Sequence, residues 1–330
     1  MVRDAPGRYK ERMPAPPPDR SALMPFLPED RVGVVERIET ITLGLSGAAV
    51  HAVTTSRGAY VLRLQGRQTD EASFAQQLRV LRRAADAGVA PAVVHVNEAA
   101  RAVVSIRVPG MPLAAALGDP AQRGPALSSL VDRLRILHAL DPADVADSTP
   151  LLHARAAWEA ARDRPGFPTW AKSLAPTFDA IAAVLAGDGR RVVSHNDVNP
   201  MNVLWDGARA WLVDWEVTGL GHPYYDLAVL ALFLRFGDDV ALDWVARHDG
   251  APLDERSRVT FRALRQLAGV LCGLTFVNLA GELDVGPAPA RASTPSLGAC
   301  YDAMRTGKLD LQSPRGRLPF GLALLAEAIE

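Results

Sequence analysis

Residues 194–205 read SHNDVNPMNVLW, and LVDWE follows at 212–216. His195, Asp197, Asn202 and Asp214 stand between short apolar runs. Val192 and Val193 enter the cluster as a strand, and Val203-Leu204-Trp205 leave it as another. Asp206-Gly207 is a turn signal, and Trp211-Leu212-Val213 make a further strand that ends at Asp214. Such a hairpin brings Asn202 and Asp214 together, with His195 and Asp197 on the loop before it. A polar cluster held between buried strands is costly unless it binds something. A carboxylate and an amide oxygen at a hairpin mouth suit Mg²⁺, which takes few protein ligands and leaves the rest to phosphate and water. Asp197 can accept a proton from a hydroxyl. Metal, phosphate and base together describe phosphoryl transfer, in which catalysis is mostly positioning and charge neutralisation.

The arrangement His195-Asn196-Asp197, then Asn202 and Asp214, resembles the catalytic loop of the protein-kinase-like fold. Within that fold it is most similar to the small-molecule kinases, the aminoglycoside phosphotransferases and the choline/ethanolamine kinases. Asp214 is followed by Trp215-Glu216 rather than Phe-Gly, GLGHPYYDLAVLA at 219–231 resembles the segment in which a Pro precedes an Asp opening a helix, and no Ala-Pro-Glu segment is evident. The resemblance spans roughly residues 33–285. It implies an α+β fold with two lobes, a β-rich N-lobe and a mainly helical C-lobe carrying the catalytic hairpin. It implies that Asp197 orients or deprotonates the acceptor hydroxyl and that Asn202 and Asp214 hold Mg²⁺. His195 packs the loop, Glu216 backs the metal site or lines the acceptor pocket, and Asp226 caps its helix and braces the loop. Asn199 is either a support of the site or a turn residue.

Towards the N-terminus, VGVVERIETI, AVHAVTT and AYVLRL read as strands. The helical spacing of Phe74, Leu78, Leu81 and Ala85, closed by Gly88, follows, then the strands AVVHV and AVVSIRV. LGLSGAAVHAV at 43–53 lies between the first two strands, and Gly44, Ser46 and Gly47 there let backbone N–H groups approach phosphate oxygens. The resemblance makes this the nucleotide loop. It also places Arg63 where Lys is usual and Gln77 where a Glu normally holds that cation. Arg has five donors and is always charged, so an amide acceptor can orient it. The resemblance implies that Ser105 to Val108, Arg107 included, is the segment that meets adenine; the alternative is an ordinary edge strand and turn. Pro109-Gly110 breaks the pattern, and the chain beyond is mostly helical. The expected organisation is a Pro-rich tail over residues 1–30, an N-lobe over 31–108 and a C-lobe over 109–330.

The chain has 330 residues, 48% hydrophobic and 22% charged, enough for a large core. A formal net charge of −1 supplies no global field for nucleic acid or a membrane surface. Cys272 and Cys300 lack metal-ligand spacing and read as reduced thiols of a cytoplasmic protein. The start of the chain has no apolar run of a secretory signal, and the stretch Ala268–Ala280 falls short of a bilayer span. The expected partners are ATP or GTP and a small hydroxyl compound, an amino alcohol or amino sugar, with the protein a monomer or homodimer. Glu216, Tyr224, Tyr225, Glu282, Asp284 and Asp302 are candidates to line the acceptor site. The alternative is a catalytically weak or inactive nucleotide-binding module of the same fold.

Overall fold

The computed structural model describes residues 19–41, 48–66, 69–281 and 290–329. These divide into two compact units, the chain up to Asp70 with Val93–Arg107, and Glu71–Ala92 with Val108 onward.

The first unit is built on a five-stranded antiparallel sheet. Its strands are β1 (Val35–Ile41), β2 (Ala49–Thr55), β3 (Gly58–Leu64), β4 (Val93–Asn97) and β5 (Ala102–Ile106), in the order β1-β2-β3-β5-β4. Alternate residues point one way, so Tyr60 and Leu62 on β3 and Ala102 and Val104 on β5 share one buried face. That face is covered by residues which the sequence reading assigns largely to a tail. Helices α1 (Arg20–Leu23) and α2 (Glu29–Val32) belong to this segment, and Leu23, Leu27 and Val32 join the sheet's core. The reason is composition: Leu23, Leu27 and Val32 bury apolar side chains that offset the entropy of ordering the segment.

The second unit begins with α3 (Glu71–Asp86), whose Phe74, Leu78, Val80 and Ala84 are buried. After β6 (Met111–Pro112) come α4 (Leu113–Gly118), α5 (Pro120–His138), α6 (Pro150–Arg162) and α7 (Ala175–Ala186). The β insertion follows: β7 (Val192–Ser194), β8 (Val203–Trp205), β9 (Ala210–Leu212) and β10 (Gly219–Gly221). The chain ends in α8 (Pro223–Phe233), α9 (Asp238–Asp249), α10 (Glu255–Ala280), α11 (Leu297–Arg305) and α12 (Pro314–Ala328).

Helix α10 is the hub of this unit. It runs 26 residues, of which the apolar run Ala268–Ala280 is the second half, and is long and apolar enough to cross a membrane. Here its apolar sides pack instead on α12, α6 and α8, with Phe261, Leu264, Leu267 and Leu274 inside. Each such side chain contributes about 2–3 kcal/mol on leaving water. Asp254 caps its start by accepting the Ser257 N–H at 2.7 Å.

Candidate active site

The polar cluster sits on two small strand pairings. β7 pairs antiparallel with β10, Ser194 opposite Gly219. β8 and β9 form the expected hairpin, Val203 opposite Leu212, and Val213 N donates to Asn202 O at 2.9 Å. This last bond puts Asn202 beside the residue that precedes Asp214. The connection is longer than a two-residue turn: Asp206 Oδ1 accepts the N–H groups of Ala208 and Arg209, with Gly207 at φ +97°.

Asp197 is clamped by two amides. Asn199 Nδ2 donates to its Oδ1 at 3.0 Å and Asn202 Nδ2 to its Oδ2 at 2.6 Å. The same Asn202 nitrogen reaches the Asp197 carbonyl at 3.1 Å, so the amide oxygen of Asn202 is turned away from Asp197. Asn199 is thus both things considered for it, since its Oδ1 also caps the turn at Met201 N, 2.9 Å away. Burial pushes the Asp197 carboxyl up to about 7 and the charge of Asp214 adds to this, against the downward pull of the Asn199 and Asn202 hydrogen bonds. Asp214 therefore lies close enough for its charge to be felt. It adopts a left-handed backbone, φ +68°, rare for a residue with a side chain and common at functional sites.

His195 clips the loop to the hairpin. Its Nδ1 accepts the Asp197 N–H at 3.3 Å and its Nε2 faces Val213 O at 3.0 Å, so Nε2 carries the proton and the ring is neutral. Burial holds its pKa below the usual value, and the ring packs edge-on against Trp215.

Asp226 is fully buried, on the first turn of α8. Its Oδ1 accepts Asn196 N at 2.7 Å and its Oδ2 accepts His195 N at 3.0 Å, which braces the loop as expected. It does not cap the helix. The cap is His222, whose Nδ1 accepts Tyr224 N at 3.1 Å. Asp226 lies too far along the first turn for that role, and its carboxylate is already filled. Asn196, in the left-handed region at φ +63°, ties the loop to Ser148 O and Val217 O through Nδ2.

Gln77, on α3, donates from Nε2 to Glu216 O at 2.7 Å, and its neighbour Gln76 donates to Thr218 O at 3.3 Å. The helix therefore docks on the backbone that follows Asp214. The side chain of Glu216 is half-buried. In the first unit, Arg63 stands on β3 opposite Val50 and Val103, and Ser105 stands on β5 opposite Val61. Arg107 leaves β5 with its N–H on Ala59 O at 3.0 Å. Gly44, Ser46 and Gly47 lie outside the described residues, as do Glu282 and Asp284. Tyr224 is buried against Arg190 and Asp249 as a packing residue, Tyr225 is fully buried, and Asp302 is paired with Arg305 at the surface.

The residues present suit a magnesium ion. Asn202 offers an amide oxygen turned away from Asp197, and Asp214 offers a carboxylate two residues past the end of β9, a donor set of hard oxygens that leaves positions for phosphate and water.

The sequence matches the profile of the phosphotransferase enzyme family over residues 37–270. The chain belongs to this family. No curated protein matches it at the sequence level. Among solved structures it is similar to a choline/ethanolamine kinase family protein from Mesorhizobium loti, with 20% identity, 94% of this chain and 98% of that one covered, and a TM-score of 0.63. The choline kinase LicA from Streptococcus pneumoniae matches at 18% identity over 81% of this chain and 92% of that one, TM-score 0.62. An aminoglycoside phosphotransferase from Streptomyces rimosus matches at 22% identity over 77% of this chain and 98% of that one, TM-score 0.52. These likenesses establish the protein-kinase-like fold of the small-molecule kinases for the phosphotransferase described here.

Two residues behind the loop had no signal in the sequence reading. His138 lies 3.0 Å from Asp226 Oδ2, and His248 lies 2.8 Å from His138. They come from α5 and α9, far from the loop in sequence, and neither stands in a recognisable motif.

Proposed function

We propose that this phosphotransferase moves the terminal phosphoryl group of ATP or GTP to a hydroxyl of a small amino alcohol or amino sugar. One observation carries the reading: the Asp197 carboxylate is fixed by the Asn199 and Asn202 amides with the Asp214 charge beside it. In this reading Asp197 receives or orients the acceptor's hydroxyl proton, and a proton affinity near neutrality suits a base. Asn202 and Asp214 hold Mg²⁺, which when bound neutralises charge on the phosphates. His195 and Asp226 keep the loop in place, and Glu216 borders the site. Arg63, Ser105 and Arg107, with Gly44, Ser46 and Gly47, take the nucleotide side, and Gln77 anchors α3 to the metal-bearing segment. LicA has been solved with AMP and the Streptomyces rimosus enzyme with ADP and streptomycin, which supports a nucleotide and a cationic small molecule as ligands here. The two free cysteines support a cytoplasmic setting.

A second reading, a nucleotide-binding module without turnover, is favoured by Arg63 in the place of Lys and by Gln77 engaging the Glu216 carbonyl. A ³¹P NMR screen of ATP and GTP with Mg²⁺ against choline, ethanolamine, aminoglycosides, macrolides and sugars separates the two. A new phosphate monoester with one acceptor is the expected result. Nucleotide binding with no ester from any acceptor supports the binding module.

A further inference from the structure

Asp226 has a side-chain partner besides the two backbone groups it accepts. Its Oδ2 lies 3.0 Å from His138 Nε2, His138 Nδ1 lies 2.8 Å from His248 Nε2, and His248 Nδ1 lies 3.0 Å from Asp249 Oδ1. Three contacts through ring nitrogens thus join two carboxylates across α8, α5 and α9.

The protons can be counted. An ionised carboxylate only accepts, so His138 Nε2 must carry a proton toward Asp226 and His248 Nδ1 one toward Asp249. The 2.8 Å contact between the rings needs one more, on either facing nitrogen. Two neutral imidazoles hold only two N–H protons. With two, one of the three contacts sets lone pair against lone pair. The acids at the ends are poor homes for the extra proton. Asp226 already accepts His195 N and Asn196 N, and Asp249 Oδ2 accepts the Tyr224 hydroxyl and lies 3.5 Å from Arg190. Within the pair, deep burial disfavours charge on His138, so the extra proton is shared across the 2.8 Å contact rather than held on that ring alone.

We propose that the His138–His248 pair holds three protons at neutral pH, one net positive charge between two carboxylates, and that this charge positions the catalytic loop through Asp226. While the cation is present, Asp226 stays ionised and its bonds to His195 N and Asn196 N are charge-assisted. His138, His248 and Asp249 are positioning residues that touch neither nucleotide nor acceptor. The other charged or titratable groups around the pair are Tyr224 on α8, His195 on the loop, Arg190 with its partner Asp188, His222 against Asp188, and Arg135, which reaches the Gly250 turn from α5. Proton loss from the pair leaves one contact unmade and loosens the anchor, so loop geometry and turnover fall at high pH while nucleotide affinity holds. Only this kinetic consequence rests on the phosphotransferase reading.

The test is ¹⁵N NMR of the full chain labelled at its seven histidines, with the pair's signals assigned by their loss in His138→Gln and His248→Gln. At pH 7 three of the pair's four ring nitrogens should be protonated, with His138 Nε2 among them. Two neutral rings at pH 7 overturn the proposal, whatever the activity. Asp249→Asn removes the terminal charge, and the pair should then lose its third proton about 1–3 pH units lower. The high-pH limb of kcat should move down with it, and KM for nucleotide should stay in place. An unmoved titration in Asp249→Asn also overturns the proposal. A three-proton pair in a protein that turns over no acceptor leaves the relay standing and sinks the kinase reading instead.

Discussion

Asn202 uses its amide nitrogen on Asp197 and so turns its oxygen elsewhere, the orientation on which the proposed division of roles rests. The motif residues were legible in sequence because their spacing is local: a loop and a hairpin bring His195, Asp197, Asn202 and Asp214 together without help from the rest of the chain. Asp226 was legible as a brace and misread as a cap. A cap residue is recognised by type, and Asp outranks His for that role in isolated helices; only the packed structure shows that the Asp226 carboxylate is taken by backbone from the loop. At this scale the test is Asp226→Asn. An amide can accept one of the two loop N–H groups but presents its own N–H to the other. The variant should lose about 3 kcal/mol in urea unfolding, the cost of a broken buried charge site. A loss under 0.5 kcal/mol means that the loop is held by something else.

At the scale of elements, α8 starts on His222, and that choice makes the helix end sensitive to acid. Burial, with Arg190 nearby, outweighs Asp188 and lowers the His222 pKa to about 4 from 6.5. The ring's Nε2 lies 3.2 Å from Asp188 Oδ2 but finds no aligned hydrogen bond there. Unfolding releases the ring to bind a proton over that interval. Its contribution is therefore complete above pH 6.5 and declines as pH falls towards 4, on the order of 3 kcal/mol in all. Asn is a good cap that does not titrate, so His222→Asn should flatten the fall of Tm between pH 6.5 and 4.5. A slope equal to the parent's would place the acid sensitivity elsewhere. The contact of α10 with α12 gives a second test. A Cβ on Gly273 would stand 2.9 Å from Gly321 O and 2.7 Å from Leu325 Cγ, so the backbones meet where neither helix has room. Gly273→Val should cost about 2–3 kcal/mol in chemical denaturation by forcing the helices apart. A change below 0.5 kcal/mol would show that α12 can yield. The order of strands and helices was readable because period 2 and period 3.6 patterns are local. The close approach of α10 and α12 was not, since a glycine in a helix pattern gives no sign of what faces it. The His138–His248 contact was hidden for the same reason: α5 and α9 meet only after folding.

At the scale of the molecule, the two compact units carry different parts of the proposed reaction. The first holds Arg63, Ser105 and Arg107, and the second holds Asp197, Asn202 and Asp214. Sequence specified the transfer side more fully than the acceptor side. Phosphoryl chemistry demands particular groups at particular spacings, whereas a pocket for a small cation can be assembled from many side chains of the helical unit. The central claim is that Asp197 works on the acceptor and not on the nucleotide. The measurement is steady-state turnover of Asp197→Asn beside its affinity for Mg²⁺ and nucleotide, on the acceptor that gives an ester with the parent protein. The account predicts a fall in kcat of about 10²–10⁴-fold with nucleotide affinity within threefold of the parent. Turnover that survives the substitution would contradict it, as would a loss explained wholly by nucleotide no longer binding.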